Sequence, residues 1–454
     1  MSPHRFTESQ PFDYAGYFAA AVQFLQKYRW IFCVNNTKFI REGTLNVLPR
    51  EWIADLNYAS NDEFNRIPLG YMKDDWSVSF REFLFALKQL QVQFDEHDCR
   101  HPKPRKGISV KKGYEIENLS SFIEIVRSPE DQSLVVDFGS GLGYLSELLH
   151  ERFGLKVLGI ESNPSLVETC IKRQNPSIPR KPVQYCHHFI TEDSFDFIRS
   201  ECVNRFGDNT IEASIAGLHA CADLSITAIH CFLRCRWVQC LTIMPCCYHR
   251  MKEPATGTTT EEREFLNIPL SNELGAKLMA GGRNLITRSF LRLGCQQTAA
   301  RWEKRTPEEH HLHGQAMFRR ALIDAALQHD ETVRVDKLKS TPNEATVENV
   351  LAQFTLLKYS DGERLECAWT DEHRTKLAAL LEQYGRDGPR WSEYLECLQT
   401  CLQSVCENVI LLDRMCYLEN ASKHEGFRIR RNLVRLRDDG LSPRCFIFHA
   451  SKIQ

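Results

Sequence analysis

The sequence predicts an α/β protein on a Rossmann-like, doubly wound sheet. A helical region precedes this sheet, and a large helical insertion comes before its last two strands. Three observations support the prediction: short apolar runs alternate with helical patterns after residue 133, glycines follow the first run, and the flanking segments repeat apolar residues every three or four positions. Strand, helix and strand in series indicate parallel strands joined by right-handed crossovers.

The composition fits a folded protein without a secretory or membrane role. Of 454 residues, 43% are hydrophobic, which is enough for a large core. The N-terminus lacks a basic segment followed by an apolar one, and no apolar stretch reaches 18 residues. We therefore expect no membrane span and an intracellular protein, cytoplasmic or nuclear and not secreted. The 18 cysteines are then expected to be reduced thiols, mostly buried.

Four segments follow from the patterns along the chain. Residues 1–99 are predicted to be helical, because "YAGYFAAAVQFLQKY" and "WSVSFREFLFALKQLQVQF" both have helical apolar spacing. Residues 100–252 hold the core of the sheet and the cofactor site. Residues 253–426 form the helical insertion, which we expect to offer a surface for a protein partner. Residues 427–454 supply two terminal strands that complete the sheet.

Five apolar, mostly β-branched runs predict the strands of the core. They are "SLVVDF", "LKVLGIE", "PVQYC", "EASIAGLH" and "VQCLTIMP". The C-terminal segment "FRIRRNLVRLRDDGLSPRCFIFHASK" predicts two more strands, joined by a turn from Asp438 to Pro443. Ligands of such sheets bind outside the carboxyl ends of the strands, so the residues that follow each run are the candidates for a site.

A glycine-rich turn follows the first strand, in "VVDFGSGLGYLSELL". Glycine allows positive φ and lets a ligand approach the backbone closely. A dinucleotide-binding turn would place its third glycine at position 144, which is Tyr144. The spacing suits S-adenosylmethionine instead, and Glu161 at the end of the second strand is placed to accept the ribose hydroxyls. The predicted cofactor-binding residues are Asp137, Gly139, Ser140, Gly141, Gly143 and Glu161. A domain that has lost its ligand is the alternative.

Cysteines and histidines cluster after the fourth and fifth strands, in "GLHACADLS" and "MPCCYHRM". Both segments fall at carboxyl ends of strands, so we expect them to meet beside the cofactor. Three interpretations remain open: groups for acid–base catalysis and positioning, a zinc site, or a structural cluster. We predict no metal, because the cysteines lack a CxxC spacing. The predicted catalytic residues are His219, Asp223, Cys246, Cys247 and His249, and Cys221 and Tyr248 are predicted to contact substrate.

A basic run from residue 100 to 112 precedes the first strand. It contains Arg100, Lys103, Arg105, Lys106, Lys111 and Lys112, with no acid among them. The net charge of −2 argues against binding of a polyanion through overall charge, so nucleic-acid binding would need such a local patch. We predict that Lys111 and Lys112 contact the substrate, although a solvated basic loop would give the same pattern.

Several segments, in order, resemble the methyltransferase-like protein 25 family, which includes the ribosomal RNA adenine dimethylase domain-containing protein. They are "LPREWIADL", "GISVKKGYEIENLSSFI", "VVDFGSGLGYLS", "GLHACADLS", "PCCYHRM", "KLMAGGRN" and "LSPRCFIFHA". The two histidine-bearing motifs are also similar to those of transfer-RNA ribose methyltransferases with a "CCHH" motif. The chain departs from the family's usual glycines at Ala222 and Pro245.

The resemblance implies a class I S-adenosylmethionine-dependent methyltransferase. It implies cofactor contacts at Asp137, the three glycines of the turn and Glu161, with the cysteines and histidines lining the acceptor side. Our leading hypothesis is methylation of a structured RNA, transfer RNA or ribosomal RNA. The alternatives are a protein or small-molecule methyltransferase, or a non-catalytic scaffold that binds the cofactor.

Overall fold

The computed structural model describes most of the chain. The described residues are 4–97, 107–127, 134–174, 182–207, 212–254, 265–282, 284–296, 298–327, 333–337, 346–360, 363–443 and 445–453. Within them, no helix is both long enough and apolar enough to cross a membrane.

The described strands and helices alternate through the middle of the chain. The strands are β1 His4–Phe6, β2 Val92–His97, β3 Leu134–Phe138, β4 Val157–Glu161, β5 Val183–His187, β6 Ala213–Cys221, β7 Val238–Cys246, β8 Val333–Lys337, β9 Phe354–Ser360, β10 Glu363–Cys367, β11 Arg428–Leu436 and β12 Phe446–Ile453. The helices are α1 Tyr14–Lys27, α2 Arg50–Tyr58, α3 Asn61–Arg66, α4 Val78–Gln89, α5 Val110–Val126, α6 Tyr144–Phe153, α7 Pro164–Arg173, α8 Phe195–Phe206, α9 Leu224–Arg234, α10 Asn272–Gly281, α11 Arg288–Leu293, α12 Ala299–Trp302, α13 Pro307–Leu327, α14 Val347–Leu351, α15 Asp371–Tyr384 and α16 Gly388–His424.

The chain divides into two compact units. The first, the sheet unit, comprises residues 1–27, 88–301 and 403–454; the second comprises residues 28–87 and 302–402. This division differs from the four predicted segments, because part of the N-terminal region and part of the insertion belong to the sheet unit. The long helix α16 contributes residues to both units.

The sheet unit is built on nine described strands in the order β1-β2-β11-β12-β7-β6-β3-β4-β5. Strands β5, β4, β3, β6 and β7 run parallel, and β12 is antiparallel to both β7 and β11. Strand β3 is buried along its whole length, which its apolar composition requires when both faces of a parallel sheet are covered. The predicted Rossmann-like class I architecture, including its two terminal strands, is confirmed.

The N-terminal region is not wholly helical, contrary to the prediction. Strand β2 pairs in parallel with β11, and β1 pairs in parallel with β2, so both extend the edge of the sheet. Only two residues of β2 are buried, at every third position, so its sequence shows no apolar alternation. The helical spacing that precedes it in α4 therefore dominated the sequence pattern.

The second unit is mostly helical and contains a small antiparallel sheet in the order β10-β9-β8. These strands fall within the predicted helical insertion, so that prediction is wrong for this part. A buried polar network lies among its helices: Glu393 accepts from His310 Nδ1 at 2.5 Å and from His313 Nδ1 at 2.7 Å. Arg305 Nη1 lies 3.1 Å from the same carboxylate. Burial alone would raise the pKa of Glu393, but these hydrogen bonds hold it below its ordinary value.

Candidate active site

The glycine turn after β3 has the backbone that its sequence predicted. Gly139, Gly141 and Gly143 have φ of 74°, 56° and 70°, in the left-handed region that only glycine adopts without strain. A Cβ at Gly143 would lie 2.1 Å from the Tyr185 hydroxyl, and one at Gly139 would lie 3.2 Å from Leu224 Cδ2. The turn therefore needs glycine both for its conformation and for the close packing around it.

Asp137, one residue before the end of β3, lies behind this turn. Its carboxylate is 1% exposed, and Oδ2 accepts a hydrogen bond from Ser146 Oγ at 2.6 Å. Burial raises the pKa of Asp137 to about 6. Among the described residues, neither Asp137 Oδ1 nor Ser140 Oγ has a hydrogen-bond partner, although both atoms are buried. Two acceptors beside the turn are thus available to the donors of a ligand.

Glu161 ends strand β4 and is joined to the turn. Its Oε2 accepts from the Gly141 backbone N–H at 3.0 Å, and its Oε1 accepts from the Asn163 N–H at 2.8 Å. The carboxylate is half-buried and faces the glycine turn. Strand β4 therefore brings the predicted ribose-binding acid to the predicted methionine-binding turn.

A cavity of about 670 Å³ opens at the carboxyl edge of the sheet. Its volume lies in the range of small-molecule sites, about 300–1,000 Å³. The residues that line it come from the ends of β3 to β6, from α9 and from the loop after β7: Gly139, Ile160, Ser162, 188–192, 221–224, Thr227, His230, Arg234, Lys252, Leu266 and Asn267. Of the predicted catalytic and cofactor residues, Gly139 and Asp223 lie in its wall, and so does the predicted substrate residue Cys221.

Asp223 joins three segments at this wall. Its Oδ2 accepts from the Lys252 backbone N–H at 3.0 Å, and its Oδ1 accepts from Asn267 Nδ2 at 2.7 Å. Each oxygen keeps a further lone pair. Asp223 thus fixes the loop after β7 against the start of α9 and still offers an acceptor to the cavity.

The predicted cysteine and histidine cluster assembles only in part. The Sγ atoms of Cys221, Cys246 and Cys247 lie within 4.8 Å of one another, with 3.1 Å between Cys221 and Cys246. His219 Nδ1 lies 4.0 Å from Cys246 Sγ, and its Nε2 lies 3.1 Å from Glu115. The neighbouring thiols and burial raise the pKa of Cys246, so this thiol is a poor nucleophile or base as it stands.

The last two residues of that motif lie elsewhere. Tyr248 is fully buried and its hydroxyl donates to Glu407 at 3.2 Å, so its contact with substrate stays a prediction that this placement does not support. His249 Nδ1 lies 3.2 Å from Cys295 Sγ, and the side chain does not line the cavity. Burial, followed by the charge of Arg292, lowers the pKa of His249. Its catalytic role stays a prediction that this placement does not support.

The basic residues predicted to contact substrate are described only in part. Lys111 Nζ lies 3.9 Å from Glu115 Oε1, and Lys112 Nζ lies 5.0 Å from the ring centroid of Tyr144, the first residue of α6. The first four basic residues of the run, from Arg100 to Lys106, lie outside the described residues. Of the two described lysines, Lys112 therefore lies beside the residue that follows the glycine turn.

The residues after β5 form much of the cavity wall, although no site was predicted there. His188 stacks on Phe197 with ring centroids 4.2 Å apart, and Phe189 is 63% exposed. Glu192 accepts from His230 Nδ1 at 2.5 Å and from Arg234 Nη1 at 2.7 Å. The segment "CHHF" follows a predicted strand, so the rule that sites lie at carboxyl strand ends would have found it.

Comparison with known proteins agrees with this architecture. Residues 111–254 match a protein family described as a methyltransferase domain. This segment of the chain is similar to that family. The matched residues include the glycine turn, Glu161, Asp223 and the cysteine cluster. They begin at Lys111 and end just after Lys252, so β3 to β7 and most of the residues that line the cavity lie within the matched segment.

Two curated proteins and a solved structure are also similar to this chain. Over 244 residues the chain is 24% identical to the mouse protein "Probable methyltransferase-like protein 25", a match that covers 53% of this chain and 37% of that protein. The human protein of the same name matches with the same identity and coverage over 243 residues. The match thus spans little more than a third of these relatives. A solved coclaurine N-methyltransferase bound to N-methylheliamine and SAH aligns over 96% of this chain and 98% of that one, at 11% identity and a TM-score of 0.24.

Proposed function

We propose that this chain transfers a methyl group from S-adenosylmethionine, bound in the cavity of its methyltransferase domain, to a structured RNA. The observation that carries the proposal is the placement of the cavity. It opens beside a left-handed glycine turn, at the carboxyl edge of a parallel sheet, within the matched domain. S-adenosylmethionine supplies an electrophilic methyl group on a sulfonium.

The residues around the turn fit the two ends of this cofactor. The buried acceptors Asp137 Oδ1 and Ser140 Oγ suit the ammonium group of its methionine end, since a buried polar atom without a partner is costly. The Glu161 carboxylate, held 3.0 Å from the Gly141 N–H, suits the ribose hydroxyls. A carboxylate accepts two such hydrogen bonds, which a neutral side chain does less well.

Asp223 is the acceptor-side residue that the geometry favours. It lines the cavity, whereas His249 and Tyr248 do not. With its oxygens fixed by Lys252 N–H and Asn267, the carboxylate is held in one orientation. We assign two roles to Asp223: it orients the methyl acceptor, and it removes the proton of that acceptor.

Two features support RNA as the acceptor. The exposed ring of Phe189 lies in the cavity wall with Lys252 Nζ 5.9 Å from its centroid, an arrangement that suits stacking of an unpaired base beside a phosphate. Lys111 and Lys112 add positive charge at the start of the domain.

Radiolabelled methyl transfer onto fractionated cell RNA and protein tests the proposal. We expect label in RNA, and we expect Phe189→Ala to lower that transfer at least tenfold while cofactor binding stays unchanged. Phe85→Ala, which truncates an equally exposed phenylalanine in the second unit, is the matched control and should transfer at the wild-type rate. Label in protein alone would overturn the RNA assignment. No transfer by a chain that binds the cofactor would favour the scaffold.

A further inference from the structure

The three thiols at the ends of β6 and β7 lie closer together than core packing requires. Cys221 and Cys246 are register partners on the two parallel strands, and their Sγ atoms are 3.1 Å apart. Cys247 follows directly, and its Sγ lies within 4.8 Å of both. In a tetrahedral zinc site with Zn–S bonds of about 2.3 Å, sulfur atoms are about 3.8 Å apart. The Cys221–Cys246 separation is shorter than this value, and the two separations to Cys247 Sγ are at most 4.8 Å.

His219 approaches one of these thiols, that of Cys246, with a fixed orientation. Its Nε2 lies 3.1 Å from the carboxylate of Glu115, which is 1% exposed and accepts that proton. The lone pair is then on Nδ1, which lies 4.0 Å from Cys246 Sγ. Metal-binding histidines commonly donate their other ring N–H to a carboxylate in this way. Ser442 also donates to Glu115 at 2.5 Å, so this carboxylate is held in place.

The backbone around the cluster holds three residues other than glycine in the left-handed conformation. His219, Ala222 and Cys247 have φ of 60°, 49° and 52°. Each left-handed residue other than glycine costs about 1–2 kcal/mol. The pairing of β6 with β7 also shifts register between Gly217 and Ala220. Such strain clusters at functional sites, and here it directs the side chains from two strands toward one point.

The missing CxxC spacing predicted no metal here, but the geometry favours one: we propose that these three thiols and the Nδ1 atom of His219 hold a zinc ion. Three thiolates and one imidazole complete a four-coordinate set, the closed arrangement of structural zinc sites. Binding exchanges the protons of three thiols for one Zn²⁺, and these protons are released to solvent. The ion joins the carboxyl ends of β6 and β7, and through Cys221 it supports the cavity wall without taking part in methyl transfer. The inference does not depend on the proposed function.

The competing use of the same atoms is a disulfide between Cys221 and Cys246. That bond requires a sulfur–sulfur distance of about 2.05 Å and leaves both Cys247 and the histidine without a role. It would also remove two hydrogens from the chain. Mass spectrometry of the unreduced protein distinguishes the two directly.

Metal analysis of the purified full-length chain tests the proposal. We expect about one zinc ion per chain in the wild type, with all three cysteines reduced once the metal is removed. Cys246→Ser should lose the zinc. Cys240→Ser, which changes another thiol on β7 away from the cluster, is the matched control and should keep it.

A second measurement remains valid if Cys246→Ser fails to fold. Glu115→Gln removes the charge behind His219, and we expect competition with a chelator to show zinc affinity about 10- to 100-fold lower. Cobalt exchanged into the wild type should give the thiolate charge-transfer and visible bands of a tetrahedral site. A reduced chain that takes up no zinc when supplied with it would overturn the proposal. So would a Cys221–Cys246 disulfide, or zinc that Cys246→Ser retains.

Discussion

Gly139 offers the sharpest test of the cofactor site, because a second glycine in the chain is matched to it. Gly139 has φ of 74° and lines the cavity. Gly154, which follows the last residue of α6, has φ of 68° and does not line the cavity. An alanine at either position must adopt the left-handed conformation, at a cost of about 1–2 kcal/mol in folding free energy. Both variants should therefore lose similar stability in urea unfolding.

Binding should separate the two variants. The Cβ of Gly139→Ala would lie 3.2 Å from Cδ2 of Leu224, another residue of the cavity wall. The added alanine methyl group would therefore fill the space between residue 139 and Leu224. The Cβ of Gly154→Ala meets nothing within 4 Å. We expect calorimetric titration with S-adenosylhomocysteine to show at least tenfold weaker binding by Gly139→Ala, or about 1.4 kcal/mol, and unchanged binding by Gly154→Ala. Equal affinity of the two variants would refute the assignment of the turn.

Three further predictions concern other parts of the chain. Burial raises the pKa of Glu407 to about 7, so its neutral side chain contributes stability that is fully present below pH 4.5 and is lost as pH rises through 7. Between pH 5 and pH 8 the wild type should therefore lose on the order of 3 kcal/mol of unfolding free energy through this group. Glu407→Gln, whose side chain does not ionise, should lose less. Glu393→Ala should cost about 3–5 kcal/mol in urea unfolding, because it leaves buried histidines and Arg305 without their carboxylate; the exposed Glu382→Ala in the same unit should cost under about 0.5 kcal/mol. Asp223→Asn should bind S-adenosylhomocysteine normally and lose at least tenfold in methyl transfer, and a variant that transfers at the wild-type rate would exclude a role in proton removal.

The sheet could be predicted because its central strands are buried on both faces. Strands such as β3 and β4 are continuous apolar runs with turn residues after them, and this pattern has few other readings. The edge strands β1 and β2 and the small sheet of β8 to β10 were missed, since short or half-exposed strands lack such runs. These strands form because they pair with strands that are distant in the sequence, and no local sequence pattern records such pairing.

The site was predictable where a strand alone fixes a residue. Gly139, Glu161 and Asp223 lie at the ends of strands or within two residues after them, at the carboxyl edge of the sheet. Tyr248 does not line the cavity, because Cys247 has φ of 52° and the chain then enters a short 3₁₀ helix. The left-handed turn at Cys247 directs the side chains of Tyr248 and His249 away from the cavity. A left-handed cysteine cannot be recognised from sequence spacing.

Titration of the purified wild-type chain with S-adenosylmethionine tests the central claim most directly. The account predicts saturable binding at one site per chain, with S-adenosylhomocysteine competing for it and Glu161→Ala binding at least tenfold more weakly. A folded chain that binds neither compound would contradict the account.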